Sequence, residues 1–470
     1  MRTRLRRARR PGPAPIAALV AGLAAAALPW WLPGVVVRLR MWVFARVNGD
    51  EAIQVPGDVV DVAHFREVYS HPAANGRSRG ARLSDLFWYW LAPGPELHQE
   101  HLEPGERYEQ VARCTRRILS VPRAEAEELA SRCAAGVLDG VRDGGLVRLR
   151  DLAMPIWAAY YYELVFGEPC PPRARRLIVD NATDVVTALK CSGLRHMRRR
   201  NGLTGFLEAR LASGGVPHGL PPGMTTGEHA LYLQGTFFNT AIVQTSEALA
   251  HVLMILARHP ETHERVLADD AYLDRVIEEA FRRYPLFGIA HRITTDEIRV
   301  GDAVLPTGSV LCFNYPEFHR AGFDEPDRFD PSRWERLAVR DANHIPFGIA
   351  TNRPCPAWRL APITLRVAVR ETLARFTPQT TAAHSRSLPN RGPCLLVPRS
   401  PGAERSRSLA RRRALLGYVW VRDRWEDVGR SVVQLVLGTY MVLDARRLRL
   451  CQRHFEAAGT DEGAPAGRSF

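Results

Sequence analysis

The sequence predicts a mainly α-helical, single catalytic domain with a minor β region. A very long helix is indicated by Ala230–Pro260, which contains no internal proline, is apolar on nearly every side and ends in a His-Pro pair. A second helix, Ala271–Pro285, is followed by short β-like runs over Ile298–Tyr315 that Gly and Pro turns separate. Because a helix that is apolar all round has to be buried, we expect the long helix in the middle of this domain.

The length of the chain fits one large domain with an extension at each end. Its 470 residues are 46% hydrophobic, which supplies a core for one large domain or two ordinary ones. We expect a basic arm over residues 1–45, the catalytic domain over residues 46–400 and a helical extension with a disordered tail over residues 401–470. The segment Ser387–Arg399 resembles a last β-hairpin that closes the domain.

The charge of the chain is strongly positive but does not indicate nucleic acid as a partner. The net charge is +14, and Lys190 is the only lysine, so nearly all the basic residues are arginine. They are scattered, with dense runs only at Arg2–Arg10 and Arg405–Arg413. No basic face with interleaved aromatic residues is present, so we expect no nucleic-acid binding.

The eight cysteines point to isolated thiols in a reducing, cytoplasmic compartment. None forms a C-x-x-C pair, a zinc-like Cys/His spacing or a disulfide framework. Cys355 is unusual because it lies between Pro354 and Pro356, directly after a Phe-Gly turn and before a helix-like run. On the residues alone, this thiol could serve packing, nucleophilic attack, redox chemistry or metal ligation.

The N-terminal apolar run is a candidate membrane anchor. Ala14–Leu32 is 19 residues long, follows six arginines and ends near Trp30 and Trp31, a length and flanking pattern that suit a bilayer span. The run is mostly Ala and Gly, however, and Pro29 interrupts it. A membrane anchor, a cleaved signal peptide and an unstructured start are the three alternatives that the sequence leaves open. An anchor would hold a cytoplasmic protein at the membrane.

The C-terminal extension shows amphipathic helical spacing. Arg430 and Asp444 bound its apolar stretch, which is too short to span a membrane, so we expect a helix that packs on the main domain or on a partner. The tail after Ala457 is expected to be disordered. The apolar positions that define the predicted packing face are Val428, Val432, Leu435, Val436 and Met441.

Three elements in a fixed order carry the chemistry. Glu279 and Arg282 lie three residues apart on the second helix, so they share one face and can form a pair, although such pairs are usually exposed. Arg333 follows in an F-x-P-x-R-W context, and the loop Phe347–Cys355 comes shortly after it. Together the three elements indicate one kind of site far more specifically than any one of them does.

With these three elements, the chain resembles the cytochrome P450 family of haem-thiolate monooxygenases over roughly residues 60–400. The resemblance implies haem b with Cys355 as its iron ligand, and a buried ion-pair network of Glu279, Arg282 and Arg333. It further implies that Phe347 covers the sulfur. Arg292, from a segment similar to the family's R-x-x-T-x-D, and Arg353 would reach the haem propionates.

The chemistry of a thiolate ligand agrees with this assignment. Such a ligand pushes electron density onto the iron, so it needs a single cysteine in a stiff loop shielded from water. Pro354 and Pro356 each fix a backbone angle beside Cys355. We therefore predict that Cys355 is the iron ligand.

The loop departs from the family's F-G-x-G-x-R-x-C-x-G pattern. One extra residue lies between Phe347 and Cys355, Thr351 takes the place of the inner glycine, and Ala357 that of the last. The turn is therefore expected to be rebuilt, because glycine supports conformations that other residues resist. Pro356 also removes an amide that could donate toward the sulfur, which predicts a more electron-rich thiolate and a lower iron potential.

The predicted central helix departs further from the family's pattern than the loop does. The family's acid–threonine pair falls on Val243 and Gln244, and its second threonine on Thr245. Gln244 and Thr245 are the candidate catalytic residues, but Val243 cannot relay a proton and Gln244 delivers one poorly. Three readings stay open: water or substrate supplies protons, peroxide replaces oxygen, or the reaction is not a monooxygenation.

The resemblance implies a monooxygenase that inserts oxygen into a small, apolar organic substrate. Because no reductase domain is fused, electrons are expected from a separate ferredoxin or flavoprotein reductase. The alternatives are a haem-thiolate peroxygenase, dehydratase or rearrangement enzyme, and a catalytically silent haem protein that acts as a partner.

Overall fold

The computed structural model describes residues 13–48, 52–141, 144–382, 392–399 and 409–462. Within them the chain is mainly α-helical with three small sheets, as the sequence predicted. The helices are α1 (Pro13–Ala26), α2 (Leu28–Asn48), α3 (Phe65–Ser70), α4 (Arg82–Leu91), α5 (Glu106–Ile118), α6 (Arg123–Leu138), α7 (Leu149–Phe166), α8 (Pro172–Leu189), α9 (Met197–Gly214), α10 (Thr226–Gly235), α11 (Ile242–Arg258), α12 (His263–Ala268), α13 (Asp270–Arg283), α14 (Tyr315–Arg320), α15 (Arg333–Arg336), α16 (Leu360–Arg375), α17 (Leu409–Leu448) and α18 (Leu450–Glu462).

Eight short strands form the three sheets. They are β1 (Ala52–Val55), β2 (Gly145–Arg148), β3 (Ile289–Ile293), β4 (Ile298–Val300), β5 (Ala303–Leu305), β6 (Val310–Asn314), β7 (Phe376–Gln379) and β8 (Pro393–Pro398). In the first sheet, β6 pairs in parallel with β1 and antiparallel with β3. In the second, β4 and β5 form a hairpin. In the third, β8 lies between β2 and β7. The predicted β runs after Pro285 are therefore present.

The predicted hairpin at Ser387–Arg399 is wrong in its pairing. Strand β8 supplies the second arm, but its antiparallel partners are β7 and β2, which lie well upstream. The residues before Gly392 that were expected to supply the first arm lie outside the described residues. Strands β7 and β8, which are near each other in sequence, and the distant strand β2 thus close this edge of the domain.

The long central helix runs from Thr226 to Arg258 and is buried in the core, as predicted. It begins at a capping box in which Thr225 accepts from the Glu228 amide and the Glu228 carboxylate accepts from the Thr225 amide. It is not uniformly α, because Thr236–Ala241 forms a π-helical segment between α10 and α11. Such a wide turn re-aims side chains and is often found at functional sites.

The core lies where α11 packs against α7, α13 and α16. Helix α7 is apolar and aromatic on nearly every side, and Trp157, Tyr160, Tyr161 and Tyr162 are all buried. An aromatic helix of this kind has no solvent face and can only lie inside the domain. The helices around α11 thereby fix its position relative to the loop that carries Cys355.

The N-terminal apolar run forms two helices that meet at a bend of 71°. The break falls at Ala27, and Pro29 sits in the first turn of α2, where a missing amide costs little. The run is therefore interrupted in the turn before Pro29, as expected. Among the described residues, this bent pair and Thr226–Arg258 have the length and composition of a membrane span, but Thr226–Arg258 is a buried core helix.

The C-terminal extension forms the predicted helix, but it packs with a different face. Helix α17 lies along α2 and also contacts α4 and β8. Met441 is buried as expected, whereas Val432 and Val436 point outward. Helix α18 continues to Glu462, so the helix extends past Ala457, where a disordered tail was expected, and residues 463–470 lie outside the described part.

Candidate active site

The Cys355 loop folds into a compact turn between β-like and helical segments. The Cys355 amide donates to the Phe347 carbonyl at 2.9 Å, and the Asn352 amide donates to the Ile349 carbonyl at 3.1 Å. Phe347 packs edge to face on Phe281 of α13 with ring centroids 5.9 Å apart. The loop is thus tied to itself and to the core.

The extra residue in this loop is absorbed at an unexpected position. Left-handed backbone angles occur at Gly348, with φ +73°, and at Arg353, with φ +49°, whereas Thr351 is not left-handed. A Cβ at Gly348 would lie 2.9 Å from the Tyr69 hydroxyl, so glycine is required there. The strained backbone of the rebuilt turn is therefore at Arg353. The contacts of the Arg353 side chain stabilise this backbone conformation.

The sulfur of Cys355 is deep in the molecule, and its remaining exposure faces the cavity beside it. Burial raises the pKa of the Cys355 thiol to about 11, and the Ala357 amide, which donates toward the sulfur, acts in the opposite direction. One amide donor therefore remains although Pro356 lacks one. A thiol with this pKa is a poor nucleophile at neutral pH, whereas a bound metal cation deprotonates it outright.

Glu279 and Arg282 form a fully buried pair on α13. Two guanidinium nitrogens of Arg282 donate to the two carboxylate oxygens of Glu279, each at 2.8 Å. Arg333 Nε lies 3.4 Å from Glu279 Oε1, and the Trp334 indole donates to Glu279 Oε2 at 3.2 Å. The structure thus brings together all three residues of the predicted network and adds a tryptophan.

A cavity opens between the Cys355 loop and the central helix. The predicted residues Phe347, Arg353, Cys355, Arg292, Gln244 and Thr245 all line it. Apolar side chains form much of the remaining wall, among them Leu119, Phe237, Ala241, Ala248, Leu286 and Leu365. The chain therefore builds one apolar chamber with a thiol on one side and a helix with polar groups on the other.

Three guanidinium groups are buried at one edge of this cavity. Arg292 donates to the carbonyls of Tyr69, at 2.6 Å, and Asn352, at 3.3 Å, while Arg353 donates to the Leu102 carbonyl at 2.7 Å. The third is Arg77. In the described part of the chain, no carboxylate lies within ion-pairing distance of any of the three. Three buried cations without an anion call for a ligand with negative charge.

The pKa values of these groups reflect that uncompensated charge. Burial lowers the pKa of Arg77 to about 10, with repulsion from Arg292 adding to the effect. Burial likewise lowers the pKa of Arg353 to about 9, with Arg77 as the next cause. The Nε of Arg77 and the Nε and Nη2 of Arg353 are buried without a hydrogen-bond partner.

The predicted catalytic residues, Gln244 and Thr245, line the same cavity from the central helix. The Thr245 hydroxyl donates to the Ala241 carbonyl at 2.6 Å, so its proton is held within the helix. The Gln244 Oε1 is buried without a hydrogen-bond partner. Val243 lies in the core and not on the cavity wall, so an acid at that position would not face the chamber.

Polar residues that the sequence reasoning missed complete this wall. His98 Nε2 lies 2.8 Å from Thr240 Oγ1, and both residues line the cavity. Tyr161 of α7 also lines it, beside Thr245. Thr240 is one turn upstream of Gln244 and was therefore detectable from helical spacing, whereas nothing in the sequence places His98 or Arg77 at the site.

Comparison with known proteins identifies this arrangement. The family model named Cytochrome P450 matches residues 178–403, which include Glu279, Arg282 and the Cys355 loop. The chain is therefore similar to the cytochrome P450 family over 226 of its 470 residues.

Individual relatives share parts of their sequence with this chain. It is 30% identical over 170 residues to Cytochrome P450 27C1 of Danio rerio, covering 30% of this chain and 31% of the relative. It is 30% identical over 150 residues to Putative cytochrome P450 135B1 of Mycobacterium bovis, covering 29% and 32%. The match thus spans about a third of the length of these curated relatives.

Solved structures share the fold over a longer stretch. A zebrafish cytochrome P450 determined with abiraterone superposes with a TM-score of 0.59 at 17% identity, covering 72% of this chain and 92% of that one. Ligand-free cytochrome P450 OleT superposes with a TM-score of 0.56 at 14% identity, covering 66% and 84%. The architecture is therefore shared while the sequence has diverged widely.

Proteins of this family bind haem b, and the cavity fits that group. Haem b carries two propionates, and Arg77, Arg292 and Arg353 are buried cations without a carboxylate partner. The thiol of Cys355 faces the same chamber, and apolar walls suit a porphyrin. The donor set of this site therefore agrees with haem b bound through a thiolate.

Proposed function

We propose that this chain is a haem-thiolate monooxygenase that inserts oxygen into a small, apolar organic molecule. The observation that carries the proposal is the position of Cys355, whose thiol opens into an apolar cavity edged by three uncompensated guanidinium groups. A nucleophilic or redox thiol needs a lowered pKa, whereas burial raises the pKa of Cys355. An iron ligand gains its negative charge from the metal, and the cations would bind the haem propionates.

Each group of the chain has a defined part in this proposal. Cys355 supplies the thiolate, and Arg77, Arg292 and Arg353 bind the propionates and orient the ring. Haem iron, when bound, supplies the activation of oxygen for insertion into a C–H bond. The apolar walls exclude water, and the pair His98 Nε2–Thr240 Oγ1 holds a proton on the side of the cavity opposite Cys355.

The lining of the cavity supports a lipophilic substrate. Phe237, Leu119 and Leu286 offer dispersion contacts, while the cations at the edge are reserved for the propionates. A relative that is 28% identical over 140 residues is named Cyclooctat-9-en-7-ol 5-monooxygenase, from Streptomyces melanosporofaciens. That name describes oxidation of a largely hydrocarbon alcohol, which fits the same class of substrate.

Ligation by Cys355 is tested by spectroscopy. Purified protein, reduced and exposed to carbon monoxide, is expected to show the red-shifted Soret band of thiolate ligation, and Cys355→Ala is expected to lose it. Cys170→Ala is the matched control, because Cys170 is also half-buried but lies away from the cavity. A full band in Cys355→Ala would remove this residue from the role.

Electrons are proposed to come from a separate ferredoxin or flavoprotein reductase, with peroxide use as the second candidate function. Val243 lies off the cavity wall, and the Thr245 proton is held by a backbone carbonyl. Both observations favour weak proton delivery and leakage of reducing equivalents to peroxide. Product formed per NADPH consumed, compared with product formed on added peroxide, separates the two functions. No product under either condition would favour a silent haem protein.

A further inference from the structure

Helix α17 carries a continuous apolar stripe on its outer face. Its members recur three or four residues apart, and Val436 is 61% exposed, Leu443 55%, Tyr440 51% and Tyr418 50%. At 1.5 Å per residue, the stripe is roughly 43 Å long. We call it the outer stripe, and its residues are Ala414, Tyr418, Val421, Trp425, Gly429, Val432, Val436, Tyr440 and Leu443.

The middle of the inner face of the same helix is polar, whereas its end buries the apolar residues Met441, Val442 and Ala445. Asp423, Asp427, Arg430 and Ser431 are all buried against the rest of the protein, and Arg430 pairs with Asp427. A helix on the surface of a water-soluble domain has the opposite arrangement, with its apolar side inward. An exposed apolar patch as long as the outer stripe indicates an interaction surface.

Helix α17 is held on the catalytic domain along its length. In its first half, Arg148 pairs with Glu426 at 3.1 Å; in its second half, Gln434 Nε2 donates to the Lys190 carbonyl at 2.8 Å. Near its end, Arg446 donates to the Arg82 carbonyl at 2.6 Å. Because these contacts fix the helix to the protein, the outer stripe lies along the surface and the helix cannot cross a bilayer.

The N-terminal helices extend the same surface. Helix α2 packs beside α17, with Arg40 donating to Gln434 Oε1 at 3.2 Å. On α2, Trp31 and Trp42 are exposed, and on α1 every residue from Ala17 to Ala26 is exposed although all are apolar. Three adjoining helices therefore present apolar and aromatic side chains that the described part of the chain does not cover.

The charges around this surface have one sign. Between Ala414 and Leu443, the exposed residues of α17 include no acidic side chain, and their one charged member is Arg422. Arg38 and Arg46 are exposed on α2. In the sequence, the arginine run Arg2–Arg10 precedes α1, and the run Arg405–Arg413 overlaps the start of α17. Arginines beside apolar and tryptophan side chains complement anionic lipid headgroups over acyl chains.

We propose that the outer stripe of α17, together with α1 and α2, docks on an anionic phospholipid bilayer. Helix α17 lies parallel to the membrane plane, with Trp425 and Tyr440 at the headgroup level. The inference does not depend on the reaction that the cavity performs. It differs from a simple N-terminal anchor because the catalytic domain itself is bound to the membrane through its C-terminal helix.

Flotation of the full-length holoprotein with vesicles tests this surface. Binding is expected to vesicles of phosphatidylcholine with phosphatidylglycerol, and to be weaker with phosphatidylcholine alone and at high salt. Val432→Glu/Val436→Glu is expected to weaken binding roughly ten-fold or more, because it places carboxylates in the apolar layer. Val339→Glu, on an exposed turn outside the three helices, is the control and is expected to bind normally. The carbon-monoxide spectrum verifies that each variant is folded.

Two further measurements separate α17 from α1. Deletion of residues 1–26, which leaves α2 on α17, is expected to weaken binding without abolishing it, and the double glutamate change is expected to remove the remainder. Brominated lipids are expected to quench Trp425 fluorescence, measured as the difference from Trp425→Phe.

Three outcomes would overturn the proposal. The first is equal vesicle binding by the double glutamate variant and the unchanged protein. The second is complete loss of binding on deletion of residues 1–26, since α1 alone would then be responsible. The third is a detergent-free dimer that the double glutamate change dissociates and that does not float with vesicles, since a second copy of the chain would then cover the stripe.

Discussion

Glu279 is a residue whose charge has no access to water. Its carboxylate accepts from Arg282, from the Asp330 amide at 3.1 Å and from the Trp334 indole, and the side chain is fully buried. Glu279→Ala leaves Arg282 as a buried charge without its partner, which costs about 3–5 kcal/mol. We expect little soluble holoprotein and a large fall in the free energy of unfolding, measured by urea denaturation.

A pair with the same spacing and opposite exposure serves as the control. Glu325 and Arg328 also lie three residues apart at 2.9 Å, but both side chains are about two-thirds exposed, at 69% and 65%. Exposed pairs contribute about 0–1 kcal/mol. If Glu325→Ala were as damaging as Glu279→Ala, the network would not owe its strength to burial.

Buried histidines near the cavity predict sensitivity to acid. Burial lowers the pKa of His291 to about 4, with repulsion from Arg77 as the next cause, and burial also lowers the pKa of His98 and His101. The unfolded chain binds these protons near pH 6.5. Stability is therefore full above pH 6.5 and falls as the pH decreases toward 4, by about 3 kcal/mol for His291.

His291→Gln isolates this contribution. Glutamine can still donate to the Arg77 carbonyl, which His291 Nε2 contacts at 3.0 Å, but it does not titrate. The free energy of unfolding of the variant, measured from pH 7 to pH 4.5, is expected to fall less steeply than that of the unchanged protein. Parallel curves would exclude His291 as a source of the acid sensitivity.

The sequence predicted the residues of the site where a local pattern defines them. Glu279, Arg282 and Cys355 lie within short motifs, and the structure brings each to the predicted place. His98 and Arg77 come from loops before α5, and no spacing in the sequence relates a loop residue to a helix more than a hundred residues away. Burial of charge is a property of the folded chain, so these residues emerged only in three dimensions.

At the scale of elements, the helices were predictable, but the face with which one of them packs was not. Apolar periodicity located α17 correctly, and the rule that apolar faces turn inward then assigned Val432 and Val436 to the wrong side. That rule holds for a helix whose outer face contacts water. The π segment of the central helix was likewise missed, because a wide turn changes hydrogen bonding without changing composition.

Two glycines of α17 test which face is packed. A Cβ at Gly438 would lie 3.4 Å from Cys191 Sγ, whereas nothing lies within 4 Å of a Cβ at Gly429. Gly438→Leu is expected to lower stability by about 1–3 kcal/mol through overpacking. Gly429→Leu is expected to raise it by up to about 1 kcal/mol, since glycine disfavours helix.

Thermal unfolding of the holoprotein measures both variants. The two changes are identical in chemistry and lie nine residues apart in one helix, so the sign of the difference depends on the contact face alone. Equal effects would mean that α17 does not pack through Gly438.

At the scale of the molecule, the C-terminal helices complete the core of the catalytic domain. Met441, Val442 and Ala445 belong to a buried cluster with Leu86 and Tyr89 of α4. A fully buried side chain of this size contributes about 1.5–3 kcal/mol, against a total stability of about 5–15 kcal/mol. A protein ending at Arg399 is therefore expected to aggregate or to bind haem poorly. Soluble, haem-loaded protein of that length would show that residues 409–462 form a separate appendage.

Because α2 packs on α17, α2 cannot complete its packing until the C-terminal part of the chain has been synthesised. Arg40 contacts Gln434, a partner 394 residues later in the chain. At about 5–20 residues per second, the ribosome needs roughly 20–80 s to make that partner after Arg40 has been synthesised. Through that interval the apolar α1 and the inward side of α2 have nothing of their own chain to pack on. We therefore expect a chaperone or the bilayer to shield the nascent N-terminus, and the yield of folded protein to depend on translation speed and chaperone supply.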